Sequence, residues 1–213
     1  MAPSPGVHVV DHPVVAHRLT SLRDPATDNT GFRQLAGEMS ALIAYEAFGD
    51  LGMRLEQIDT PVVAGVLSPR VTETVLLVPV LRAGLGMVPA IQELLPLTEV
   101  AHVGLRRDEV TLASEVYLDR LPADLSGRRV AVCDPMLATG GSLATVCDMV
   151  LERRPAAVLA LCLIASVPGL ERFFARHPAV PVYCAAVDPE LNEQGFIVPG
   201  LGDAGDRLFG PPA

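Results

Sequence analysis

The densest chemistry-bearing run in the chain is Val130-Ala131-Val132-Cys133-Asp134-Pro135-Met136-Leu137-Ala138-Thr139-Gly140-Gly141-Ser142. An apolar strand ends in an acid, and a turn of small residues then opens a helix. Small side chains let the backbone close around a phosphate, and a helix N-terminus offers unpaired N–H groups with a partial positive charge. Thr139 and Ser142 add hydroxyl donors, and Asp134 is positioned to accept hydrogen bonds from ribose hydroxyls. Spacing alone leaves a second reading open, because Gly-rich strand-to-helix turns are common and a serine often caps a helix.

Three further segments carry candidate groups. In Val78–Met87, Arg82 stands at a strand end beside Gly84 and Gly86. A guanidinium there can fork onto a pyrophosphate, while the glycines permit close backbone approach. In Gly104-Leu105-Arg106-Arg107-Asp108-Glu109-Val110-Thr111-Leu112 the charged run fits either an anion-reaching arm or a solvated hairpin tip. The tail Leu191–Gly210 is rich in Gly and Asp and reads as mostly irregular. A structureless stretch of that length inside a compact fold is usually functional.

Composition narrows the chemistry. All 16 basic residues are Arg, so there is no lysine to hold a nucleotide phosphate in a Walker-type loop, form a Schiff base or act as acid or base. Anions must be met by Arg, backbone N–H groups, hydroxyls or a metal. The formal charge of −9 argues against a nucleic-acid partner. Cys133, Cys147, Cys162 and Cys184 form no C-x-x-C pair and read as buried, reduced thiols of a cytoplasmic protein. Met1–Val10 does not look like a signal peptide, and the apolar run Ala156–Ala165 is too short to span a bilayer, so no membrane partner is expected. The five histidines show no metal-ligand spacing.

The elements that must position these groups follow from periodicity. Asp11 or His12 before Pro13 starts a helix to about Leu22, and a second spans Gly31–Leu51 behind Asn29 or Thr30. Met53–Ile58 and Val62–Val66 read as short strands. Strands are then expected over Thr74–Val80, Val100–Leu105, Ala113–Leu118, Arg129–Asp134, Ala157–Ala165 and Val182–Val187. Helices follow to about Leu95, over Ser142–Arg153, and after Pro168. Strands alternating with helices, several nearly all apolar, imply an α/β fold with a mostly parallel sheet covered by helices. Ligands of such sheets sit at the carboxyl ends of the strands.

The Asp134–Ser142 run resembles the PRPP (phosphoribosyl pyrophosphate) motif of the type I phosphoribosyltransferases, and the form Asp-Pro-Met-Leu-Ala-Thr-Gly-Gly-Ser is similar to their uracil branch. Val78–Met87 resembles that family's pyrophosphate loop, and Gly195–Arg207 its uracil-binding segment. Pro135 stands where the generic motif has a second acid, and Ala138 where an acid often works on a purine ring. Both departures belong to the uracil branch. The resemblance implies a single domain over 1–213, with N-terminal helices at 11–52, a core at about 71–190, and a base-binding C-terminal hood at 191–210. It also implies a projecting β-arm and a strained peptide near Leu81–Ala83.

The implied reaction is uracil plus PRPP to UMP plus diphosphate, a salvage step that uses Mg²⁺ held mainly by the diphosphate. The implied PRPP contacts are Arg82, Arg107, Asp134, Pro135, Met136, Leu137, Ala138, Thr139, Gly140, Gly141, Ser142 and Asp203. Ile197, Gly202, Asp203 and Ala204 would take uracil, and Arg82, Arg107 and Asp203 would be catalytic. The family further implies a homo-oligomer, dimer or higher, and a GTP effector. Two alternatives stay open: a regulator of this fold that binds RNA, and a transferase for another base.

Overall fold

The computed structural model describes residues 6–107 and 114–210. In chain order the strands are β1 (Val7–Val9), β2 (Met53–Ile58), β3 (Val66–Val71), β4 (Val75–Leu81), β5 (Glu99–Val100), β6 (Val103–Arg107), β7 (Ser114–Asp119), β8 (Arg129–Cys133), β9 (Met136–Leu137), β10 (Ala157–Leu161), β11 (Ile164–Ser166), β12 (Val182–Cys184), β13 (Ala186–Asp188), β14 (Glu190–Leu191) and β15 (Ile197–Val198). The α-helices are α1 (Pro13–Arg23), α2 (Asn29–Ala47), α3 (Val88–Leu94), α4 (Gly141–Leu151), α5 (Val167–Arg176) and α6 (Ala204–Phe209), and a 3₁₀ turn covers Ala83–Met87.

The main sheet has eight strands in the order β1-β12-β10-β8-β4-β6-β7, with β5 also paired to β4. Every pairing in it is parallel except β6 with β7. The all-apolar strands explain the architecture, because a parallel strand must bury both of its faces. On β4, Val75 and Leu77 face a cluster that contains Phe32, Met39, Ile43 and Ile91 from α2 and α3. Leu76 and Val78 face the opposite cluster, with Leu143, Val146 and Val150 of α4 and Phe173 of α5. The expected α/β fold, a mostly parallel sheet between helices, is therefore the one observed.

Helix starts obey local chemistry. His12 Nδ1 accepts from Val14 N–H at 3.1 Å ahead of Pro13. For α2 the cap is Asp28 rather than Asn29 or Thr30, since its Oδ1 accepts from Gly31 N–H at 2.8 Å, and the helix stops at Ala47 instead of Leu51. Ser166 caps α5 by accepting from Gly169 N–H. No helix among the described residues is long and apolar enough to cross a membrane.

Several expectations change. The second strand of the early hairpin is Val66–Val71, not Val62–Val66, because Thr60 folds the intervening residues into a turn through Val62 N–H and Val63 N–H. The apolar run Ala157–Ala165 is two strands. At its break, Cys162 N–H goes to Tyr183 and Leu163 N–H to Pro135, so the chain leaves the main sheet and joins a small parallel sheet ordered β13-β11-β9. Val182–Val187 divides in the same way. The tail is less irregular than expected, holding the β14–β15 hairpin and α6.

Candidate functional site

The small parallel sheet explains how the Asp134–Ser142 loop is held. Pro135 C=O accepts from Leu163 and Ile164 N–H at 3.0 and 3.2 Å, and Met136-Leu137 then pairs in register with Ile164-Ala165. Gly140, with φ of 75°, turns the chain into α4. A Cβ on Gly140 would lie 2.6 Å from Gly169 O, and one on Gly169 would lie 2.1 Å from Ala138 O. Backbone therefore packs on backbone where α4 and α5 begin. Ser166 Oγ donates to Ala138 O at 2.6 Å and ties the two helix starts together. Sequence reasoning missed Ser166 and Gly169. The only available signal was Ser166-Val167-Pro168-Gly169, which looks like an ordinary helix start.

The second loop begins at the end of β4, the strand next to β8 in the main sheet. The Leu81–Arg82 peptide is cis. Gly84 fits against the end of β8, where a Cβ would meet Cys133 O at 2.2 Å. Arg82 is exposed, and its Nη2 lies 3.9 Å from Asp206 Oδ1 of α6. Arg107 ends β6 in register with Ser114 of β7. Beside it, Arg106 Nε donates to Glu115 Oε2 at 2.8 Å, and that partner raises the guanidinium above its ordinary pKa. Asp108, Glu109, Val110, Thr111 and Leu112 lie outside the described residues.

The tail closes over both loops. A Cβ on Gly195 would lie 3.8 Å from Thr139 Cγ2, and one on Gly205 would lie 4.0 Å from Ala83 Cβ. Between them is a cavity of about 260 Å³, lined among others by Ala83, Asp134, Ala138, Ile197, Gly202 and Asp203. Gln194 and Phe196, which sequence reasoning did not single out, also line it. Ile197 and Ala204 are buried. Asp203 caps α6 by accepting from Asp206 N–H at 2.9 Å. Asp134, Ile197, Gly202, Asp203 and Ala204 thus meet around one space, with Arg82 just outside it. Arg107 belongs to the β6–β7 pair, two strands from β8 and its loop.

Asp134 keeps part of its surface open to the cavity while protein packs around the rest. Burial pushes its carboxyl up to about 7, and Met136 N–H, 3.4 Å from Oδ1, opposes that rise. The four thiols are buried and unpaired, and burial pushes Cys133, Cys147 and Cys184 up to about 12. They are thus poor nucleophiles.

No group of three or more His, Cys, Asp or Glu side chains suited to a metal occurs among the described residues. The carboxylates of Asp134 and Asp203 on the cavity suit a different arrangement. Mg²⁺ is commonly held by one or two carboxylates, water and the oxygens of a bound phosphate.

Comparison with known proteins points the same way. The family model described as uracil phosphoribosyltransferase matches residues 9–211. The chain is 51% identical over 205 residues to a uracil phosphoribosyltransferase of Kineococcus radiotolerans, covering 95% of this chain and 97% of the relative. It is 50% identical over 207 residues to one of Streptomyces griseus, covering 96% and 98%. A solved structure of a protein from Aquifex aeolicus superposes with a TM-score of 0.90 at 33% identity, over 96% of this chain and 98% of that one. A hypoxanthine phosphoribosyltransferase from Trypanosoma cruzi shares the fold at a TM-score of 0.51 and 15% identity.

Proposed function

Since the chain belongs to the uracil phosphoribosyltransferase family, its activity is the conversion of uracil and PRPP to UMP and diphosphate, and we propose that this reaction runs in the cavity under the tail. The observation that carries the proposal is the meeting of three loops there: Gly195 over Thr139, Gly205 over Ala83, and Asp134 on the cavity wall.

In this reading the backbone and hydroxyls of Ala138–Ser142 take the 5′-phosphate at the start of α4, and Asp134 accepts from the ribose hydroxyls. The phosphate is remote from the reacting carbon, so its binding energy serves alignment at C1′. As the bond to diphosphate breaks, the ribose becomes oxocarbenium-like and the leaving group gains negative charge. Arg82 and Arg107 stabilise that charge, and Asp203 approaches the same group or its cation. Mg²⁺, when bound, neutralises part of the diphosphate charge. Uracil presents acceptor, donor, acceptor along one edge, and backbone groups of Ile197, Gly202 and Ala204 match it. Ala138 leaves no carboxylate to work on a purine ring.

Further proposals concern partners. We expect a homo-oligomer. Met53, Leu55 and Leu67 on the β2–β3 hairpin are exposed apolar residues that support an interface there. A GTP effector rests on the family resemblance, and its test is turnover at subsaturating PRPP with and without GTP. Reduced thiols support a cytoplasmic location. The deciding experiment for the site is UMP formation from uracil and PRPP with Mg²⁺, comparing the parent with Asp134→Asn. The variant is expected to weaken PRPP more than uracil. Equal weakening of both would remove Asp134 from the ribose.

A further inference from the structure

Gly200 is the pivot of the tail segment. Its φ is 62°, and a Cβ there would lie 2.0 Å from Ile197 O, so Ile197–Gly200 forms a tight turn that only glycine fits. Both backbone groups of this pivot are captured by a single ion pair. Gly200 N–H donates to Asp188 Oδ2 at 3.0 Å, and Gly200 C=O accepts from Arg23 Nη1 at 2.7 Å. Arg23 also forks onto Asp188, with Nη1 to Oδ2 at 2.7 Å and Nη2 to Oδ1 at 2.6 Å. The pair is well shielded, with side-chain exposures of 22% for Arg23 and 7% for Asp188.

A shielded ion pair is a poor device for stability alone, because desolvation offsets much of its attraction. Its geometry has another use. Asp188 ends β13 in register with Ser166 of β11, and Ser166 Oγ holds Ala138 O of the phosphate loop. One short chain of contacts, Ala138–Ser166–Asp188–Gly200, thus links the phosphate loop to the turn that carries Ile197 and Gly202. A second arginine reinforces the far side of the turn. Arg207 Nη1 donates to Leu201 O at 2.9 Å and Leu22 O at 2.6 Å, and its guanidinium lies 4.2 Å over the Phe32 ring.

We propose that Arg23 and Asp188 are positioning residues for uracil, holding the Ile197–Ala204 segment at a fixed distance from the phosphate loop. The inference rests on the reading of that segment as the uracil site. Neither residue lines the cavity, so each acts through Gly200.

The test separates base binding from sugar-phosphate binding. Asp188→Asn keeps the size and an acceptor for Gly200 N–H but loses the charge. Arg23→Lys keeps the charge but loses the fork, and Arg23→Met loses both. The expected result is a rise of about 10- to 100-fold in KM for uracil in Asp188→Asn and Arg23→Met, the scale set by the roughly 100-fold that a misplacement of about 1 Å can cost. Arg23→Lys should fall between these and the parent. Calorimetric PRPP affinity with Mg²⁺ should stay within about threefold, since Arg82, Asp134 and the Ala138–Ser142 loop keep their contacts and only Asp203 moves with the segment. The double variant Arg23→Met, Asp188→Asn should be no worse than the worse single one. If Arg23→Met does not fold, the Asp188→Asn and Arg23→Lys pair still decides. A uracil KM within about threefold of the parent in both, or equal loss for uracil and PRPP, overturns the inference. A parent that makes no UMP overturns the functional reading along with it, whereas a parent that makes UMP while the variants keep its uracil KM overturns this inference alone.

Discussion

Gly84→Ala isolates what close backbone packing contributes to the loop that carries Arg82. Gly84 has no positive φ, so alanine is compatible with its backbone conformation, and the perturbation is steric alone. The added Cβ would start 2.2 Å from Cys133 O, while real Cβ contacts essentially never fall below 3.0 Å. The Cβ is fixed to the Gly84 Cα and Cys133 O is backbone, so no rotamer change relieves the clash. The Ala83–Met87 turn must therefore move off the end of β8 by roughly 1 Å, taking Arg82 with it, and a displacement of that size costs about 100-fold in rate. Overpacking also lowers stability by about 1–3 kcal/mol, or roughly 2–4 °C in Tm per kcal/mol for a chain of this size. The assay is initial-rate UMP formation at 25 °C, where the variant stays folded, alongside thermal melting. Gly37→Ala is the control, because its Cβ would meet Ala90 Cβ at an ordinary 3.5 Å within α2. It should keep full activity and gain up to about 1 kcal/mol from helix propensity. A Gly84→Ala enzyme within about threefold of the parent kcat/KM, at any melting temperature, would refute the reasoning.

Other expectations are narrower. Arg82→Ala should lower kcat by about ten- to a thousand-fold, as removal of one transition-state donor does, and unchanged steady-state kinetics would end its assignment. PRPP affinity should rise with pH up to about 7 and then level, because the Asp134 carboxyl is held up at about 7 and accepts hydrogen bonds best when ionised. The phosphates of PRPP titrate nearby, so the readout is the difference from Asp134→Asn, which should show a flatter profile. The stability sign is opposite. A folded pKa raised from 3.8 means the native state binds the proton more tightly than the unfolded one, so the ligand-free parent loses stability as pH climbs from about 4 to 7. Asp134→Asn should remove that slope, and melting curves across the window would check it. The four buried thiols should resist alkylation in the native protein and react fully in denaturant, as counted by mass spectrometry.

Local chemistry made part of this molecule readable from sequence. The apolar strand, acid, small-residue turn and helix of Val130–Ser142 are all determined within one short stretch, and the observed strand and helix ends fall within a residue or two of expectation. Non-local events were invisible. Nothing within Ala157–Ala165 signals that the chain changes sheets after Leu161, because the groups that take Cys162 and Leu163 N–H belong to Tyr183 and Pro135. Three-residue β1 is defined by its partner β12 rather than by any pattern of its own. Helix α6 is only six residues long and hides among glycines and acids. In the site, the three loops announced themselves by composition. The parts that align them did not, since Ser166 looks like a plain cap and Arg23 sits 165 residues from Asp188.

The pairing of β1 with β12, of Arg23 with Asp188 and of Leu22 with Arg207 closes the first part of the chain against the last. During translation at about 5–20 residues per second, the 165 residues from Arg23 to Asp188 take roughly ten to thirty seconds to make. For that interval an emerging N-terminal segment has no strand to pair with and no carboxylate for its arginine. Val15, Leu19 and Leu22 of α1, buried in the finished protein, are then surfaces for a chaperone. A nascent chain stalled before β12 should therefore engage one, and a chain released past Arg207 should not.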